Sequence, residues 1–181
     1  YIPMGKDVAG NIIFSPFGDF PHLLVAGATG SGKSVFIHTV LTSLIMFHTP
    51  NELRLLLIDP KRVELAQYNN IPHLLAPIVK EPSEAKVALD RLIDEMERRY
   101  KLFETTSVSK FSEYNEVIEE LGGEQIPLII AIVDEFADLF ESEKEVSTSV
   151  LRLVQKSRAA GIHLLIATQR PSVQVITGNI K

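Results

Sequence analysis

The chain has 181 residues, enough for one good α/β core and too few for two ordinary domains. Apolar residues at 45% and charged residues at 23%, with no bilayer-length apolar run and no signal-peptide pattern at the start, place it with soluble globular proteins. A net charge of −5 excludes a wholly basic, nucleic-acid-coating surface, though not a few local cations repeated by symmetry, and the absence of cysteine excludes disulfides and thiolate metal sites.

Ile2 and Ile12 open two short segments separated by a turn-rich connection, which predicts a β-hairpin over 2–14. Pro16, Gly18 and Pro21 then break the chain before an apolar strand over 22–26. Next comes Gly27-Ala28-Thr29-Gly30-Ser31-Gly32-Lys33-Ser34, followed by Val35, Phe36, Ile37, Val40, Leu41, Leu44 and Ile45 at the spacing of a helix with one buried face. Strand, glycine loop and helix together are the setting of a nucleotide-phosphate loop. Gly27, Gly30 and Gly32 are expected to take positive φ so that successive N–H groups turn toward a β-phosphate, with the helix N-terminus adding its own donors. Lys33 would reach the β- and γ-phosphates, the Ser34 hydroxyl would coordinate Mg²⁺, and residues 27–35 form the expected nucleotide-binding set.

The helix is expected to end near Pro50, and an apolar strand over 54–58 then finishes in Asp59, Pro60 and Lys61. Charged groups at such a strand end lie on the ligand-facing edge of an open α/β sheet. A long helix over 83–103 has Leu89, Leu92, Ile93, Met96, Tyr100 and Phe103 in one stripe, with Asp94–Arg98 and Glu97–Lys101 expected to pair on a solvated face. Further helices are predicted over 109–121 and 143–160, the latter with Val146, Val150, Leu153 and Val154 inward. The unbroken apolar run over 127–133 reads as a central parallel strand, and another strand covers 162–167. Strands alternating with helices predict an α/β fold with a mainly parallel sheet and its ligand groups on one edge.

Asp134 and Glu135 close the central strand. Asp134 is placed to hold Mg²⁺ through water, opposite Ser34, and Glu135 to polarise an attacking water as general base. Gln169 ends the neighbouring strand, where its amide either senses the γ-phosphate or simply caps the strand. Arg158 lies in the last turn of its predicted helix, where a cation is favourable on charge grounds alone. None of the five histidines has zinc spacing, and the few aromatics do not interleave with basic residues.

Several separate stretches closely resemble the motor domain of the FtsK/SpoIIIE DNA translocases. They are 23–34, Leu-Ile-Asp-Pro-Lys at 57–61, Ile-Pro-His-Leu-Leu at 71–75, Glu-Met-Glu-Arg-Arg-Tyr-Lys-Leu-Phe at 95–103, Val-Asp-Glu-Phe-Ala-Asp-Leu at 133–139, and 158–178. The resemblance runs from Met4 to Gly178. It implies a single three-layer P-loop NTPase domain of RecA-like type, using ATP and Mg²⁺ as a homo-hexameric ring on double-stranded DNA. It also implies that Arg158 is the finger donated to a neighbouring subunit, and that Arg170 and Lys181, beside the family's DNA-facing loop, are phosphate contacts. Membrane spans and a winged-helix domain of the family lie outside this stretch, which is therefore expected to be a cytoplasmic piece of a longer, membrane-anchored protein and to make no membrane contact itself. Related rings that drive conjugative DNA transfer or protein secretion, or a nucleotide switch with little turnover, are the alternatives.

Overall fold

Four parallel strands form the central sheet, in the order β3 (His22–Ala26), β6 (Ile162–Thr168), β5 (Leu128–Val133) and β4 (Leu53–Ile58). They belong to a computed structural model that describes residues 1–16 and 21–170. Ala26 lies beside Thr168, Val133 beside Ile166, and Ile58 beside Val133, so the carboxyl ends of all four strands reach one edge. β6 lies between the strand that feeds the glycine loop and the strand that ends in the two acids. Connecting such parallel neighbours needs crossovers, and these are the helices.

Alternation along the strands divides the core into two layers of packing. On one face Ile130, Ile132, Leu165 and Ala167 pack with Ile37, Val40 and Leu41 of α1 (Lys33–Phe47), and with Ile2 of an antiparallel hairpin, β1 (Ile2–Lys6) and β2 (Ile12–Ser15). On the other, Ile129, Ala131, Val133 and Leu164 meet α2 (Pro82–Thr106), α4 (Phe136–Ser142) and α5 (Val146–Lys156), with α3 (Phe111–Glu120) packed outside α2. Helices on both faces of a parallel sheet give three layers, and they account for the uninterrupted apolar run of β5.

The helix expected over 143–160 is α5, shortened at both ends, and a further, unexpected helix precedes it. A short α4 begins at Phe136, directly after the acid pair, and α5 stops at Lys156 rather than Ala160. Phe136, Ala137 and Leu139 are buried, but a helix this short is masked in sequence by Asp138 and Glu141. Val154 is only half-buried. α1 ends at Phe47, a turn before Pro50. The expected i,i+4 pairs on α2 are not the ones formed: Arg98 bonds Glu95, and Glu97 takes Arg152 of α5 at 2.9 Å. Packing α5 alongside α2 brings in a partner that the periodicity of one helix cannot reveal.

Candidate active site

The glycine loop is tied to the sheet by its first residue, whose N–H donates to the Thr168 carbonyl at 3.2 Å. Gly30 and Gly32 take φ of 81° and 91°, the left-handed region that side chains disfavour, and Gly32 caps α1. Gly27 corrects the expectation of three positive φ values. Its φ is not positive, and its glycine identity serves space instead, because a Cβ there would lie 2.2 Å from Ser31 Oγ. Ala28, Thr29, Gly30 and Ser31 are exposed along the loop, and Val35 stands 68% exposed one turn beyond. Ser34 is half-buried in the first turn of α1.

Lys33 is the cation at the centre. It is 9% exposed, with Nζ 2.8 Å from Asp134 Oδ1 and 3.8 Å from Glu135 Oε2. Burial pushes the Asp134 carboxyl above the usual carboxylate range, the nearby Asp59 and Glu64 adding to this, and the ion pair with Lys33 offsets only part of it. Asp59, fully buried, uses both oxygens on the backbone N–H groups of Arg62 and Leu65, which folds the loop after β4 back across the sheet edge.

Glu135 is held from several sides. Its backbone sits at φ 63°, ψ 68°, a conformation costing a non-glycine residue about 1–3 kcal/mol, which the surroundings must impose. The Thr168 hydroxyl donates to Oε1 at 2.9 Å, and the Gln169 N–H lies 3.1 Å from both oxygens. Lys61, from the end of β4, stands 3.6 Å from Oε2 and 3.3 Å from Asp138. Burial draws the Lys61 ammonium down, but Asp138 and Glu135 outweigh it and leave its pKa above the ordinary value. Thr168 is not among the expected site residues, and Lys61 is expected on the ligand-facing edge but without a partner there. The signals were a hydroxyl closing an apolar strand and a cation following a strand-end aspartate.

Gln169 does more than cap a strand: its Oε1 accepts from Thr29 of the glycine loop at 3.3 Å while its N–H serves Glu135. Arg170 is 67% exposed and paired with Glu141 of α4 at 3.0 Å. Lys181 lies outside the described residues. Arg158 is exposed in the turn that precedes β6, and the seven residues of that strand, about 20 Å, separate it from the glycine loop. It cannot reach the site of its own chain.

The donor set suits a small, hard cation shared with phosphate oxygens. A hydroxyl at Ser34 and a carboxylate at Asp134 supply oxygen only, and among the described residues no group of three or more acidic or histidine side chains forms a cage for a metal. A phosphate-bound Mg²⁺ needs few protein ligands, and Ser34 with Asp134 would hold it.

The FtsK/SpoIIIE family model matches residues 1–173. The chain belongs to the FtsK/SpoIIIE family. Among its relatives, the DNA translocase FtsK of Clostridium tetani is 53% identical over 98% of the chain and 24% of the relative's own length. FtsK of Campylobacter jejuni is 50% identical over 99% of the chain and 19% of its own length, and SpoIIIE of Bacillus subtilis is 49% identical over 99% and 24%. This FtsK/SpoIIIE-family chain thus spans about a fifth to a quarter of the curated relatives it matches. Among solved structures, the pCW3 conjugation coupling protein TcpA with ATPγS aligns at TM-score 0.79 and 31% identity, over 94% of this chain and 48% of that one. The type VII secretion ATPase EccC of Thermomonospora curvata aligns at TM-score 0.85 and 27% identity, over 98% and 22%. No helix among the described residues is long and apolar enough to cross a membrane.

Proposed function

We propose that this chain is the ATP-hydrolysing motor unit of a hexameric double-stranded DNA translocase acting in chromosome segregation and cell division. The observation that carries the reading is the convergence of Lys33, Asp134 and Glu135 at one sheet edge behind an open glycine loop, in a chain about half identical to named DNA translocases. In this reading the backbone N–H groups of residues 27–35 cradle the triphosphate and Lys33 neutralises it. Ser34, and Asp134 through water, would hold Mg²⁺, which when bound would supply positive charge against the phosphate oxygens. Glu135, fixed by Thr168 and Gln169, accepts the proton of the attacking water, and Gln169 links that carboxylate to the loop through Thr29. Arg158 enters the site of the adjacent subunit in the ring, and Arg170 and Lys181 contact DNA phosphates. The part described here works in the cytoplasm, within a protein anchored in the membrane.

ATP turnover by the intact protein tests this reading. Duplex DNA should stimulate it, the stimulation should fade as salt rises because phosphate contacts release counterions, and Glu135→Gln should keep ATP binding while turnover falls about 10²- to 10⁴-fold. Unchanged turnover in Glu135→Gln would remove the mechanism. Indifference to duplex DNA would turn the reading toward the secretion rings that EccC exemplifies.

A further inference from the structure

Arg99 is a fully buried guanidinium in the middle of α2, and the site described so far gives it no task. Its Nη1 donates to the Ala160 carbonyl at 2.9 Å and reaches the Gly161 carbonyl at 3.4 Å, its Nη2 donates to the Pro127 carbonyl at 2.8 Å, and its Nε pairs with Glu95 at 2.8 Å. These carbonyls enter β6 and β5 at the edge of the sheet opposite the glycine loop. The next residue, Tyr100, donates its hydroxyl to the Lys156 carbonyl. Two consecutive side chains therefore grip the backbone on either side of Arg158.

The rest of that turn is equally determined. Gly161 N–H returns to the Arg158 carbonyl, Ile162 N–H to Ser157, and the Ala159 carbonyl accepts from Phe111 N–H. Phe111 also lies under the Arg99 guanidinium at 5.8 Å and against Gly161, where a Cβ would come within 2.5 Å of its ring. Backbone from Ser157 to Gly161 has its acceptors used, while the Arg158 side chain is exposed beside a groove of about 770 Å³ that Tyr100, Lys110 and Lys156 also line. An arginine on a flexible stem gains from a fixed root, since catalytic groups displaced by about 1 Å lose roughly 10²-fold in rate.

We propose that Arg99 and Tyr100 are positioning residues for Arg158, holding the turn that presents this cation to the phosphate site of a neighbouring copy of the chain. The inference rests on the reading of Arg158 given under Proposed function. It gives the Glu-Met-Glu-Arg-Arg-Tyr stretch a role in catalysis exerted from the inward face of α2, by fixing where the next subunit's charge stabiliser begins. It also explains why a residue so costly to bury is buried: three backbone carbonyls and a carboxylate surround one planar fork.

The test measures DNA-stimulated steady-state turnover of the intact ring-forming protein with Arg99→Lys and Tyr100→Phe, each with Arg158 present and with Arg158→Ala. With Arg158 present, kcat should fall about 10²-fold in Arg99→Lys and about threefold in Tyr100→Phe, with KM for ATP within about twofold. In the Arg158→Ala background neither change should lower kcat further. Additive losses in that background, or undiminished kcat in both variants, overturn the proposal. Normal turnover of Arg158→Ala alone overturns instead the reading on which it rests. Tyr100→Phe removes only a hydroxyl, so it decides the matter by itself should Arg99→Lys fail to fold.

Discussion

Lys33 Nζ and Asp134 Oδ1 lie 2.8 Å apart, joining two strands' ends across an intervening third. Both groups are almost wholly buried, so each is the other's main compensation for leaving water. A triphosphate in the glycine loop would compete for the same ammonium and release the carboxylate toward a cation.

Removing the ammonium should therefore have two separable effects. Lys33→Ala should weaken nucleotide binding at least about 10²-fold and cost about 3 kcal/mol of folding stability through the carboxylate left behind. Adding Asp134→Asn should recover most of the stability and none of the binding. Urea unfolding beside fluorescent-nucleotide titration reads both quantities, and a Lys33→Ala chain as stable as the parent would contradict the buried-pair argument.

Thr168 offers a way to disturb Glu135 without touching it. Thr168→Val keeps the shape but deletes the 2.9 Å hydrogen bond to Oε1 and the acceptor for the Arg170 N–H. Stability should fall by about 1–2 kcal/mol and kcat about tenfold, with nucleotide affinity unchanged. Thr168→Ser should retain most turnover. Equal turnover in the valine and serine variants would show that the hydroxyl does not orient the carboxylate.

Arg158→Ala should leave nucleotide affinity intact and lower turnover of the assembled protein about 10³-fold or more. Mixing it with Lys33→Ala should restore part of the activity. The first supplies an intact phosphate loop and the second an intact arginine, and a mixed interface can combine them. Absence of rescue at any mixing ratio would argue against action between subunits.

His22 and His163 make stability fall in mild acid. His22 accepts the Leu164 N–H at Nδ1, and burial, with His163 and Arg158 adding to it, lowers its pKa to about 4. Burial likewise lowers His163, whose Nδ1 bonds the Pro21 carbonyl. Since the folded state favours the neutral rings, their contribution is complete above the unfolded value near 6.5 and is lost as pH falls toward 4. For His22, which is partly open to solvent, the loss should be no more than about 2 kcal/mol. Urea midpoints from pH 7 to 4 should drop less in His22→Phe than in the parent, and parallel profiles would count against the assignment.

How far the site could be read from sequence depended on the range of the interactions. The glycine loop, the helix start at Lys33 and the acids after Val133 were legible because a backbone turn and a strand end are local, set by glycines and by apolar runs. Thr168 and Lys61 are ordinary strand-end residues until the strand order is known. β6 and β4 flank β5, which puts Thr168 and Lys61 beside Glu135, and their places follow from helix packing on both faces rather than from any local preference. Glu97 shows the same limit, since an i,i+4 rule ranks partners within one helix and α5 supplies a competitor in Arg152, whereas Arg98 turns to Glu95 three residues back on its own helix.

Sequence by itself therefore determined an α/β sheet with a phosphate loop and an acid pair on one edge, because these rest on residues adjacent in the chain. Only the tertiary structure decided that Glu135 is held by Thr168 and Gln169, that Arg99 is buried against three carbonyls, and that Arg158 stands at the far edge of the sheet. Those facts depend on which strands become neighbours. That choice is made by burying two apolar faces at once, a property of the whole chain and of no single stretch.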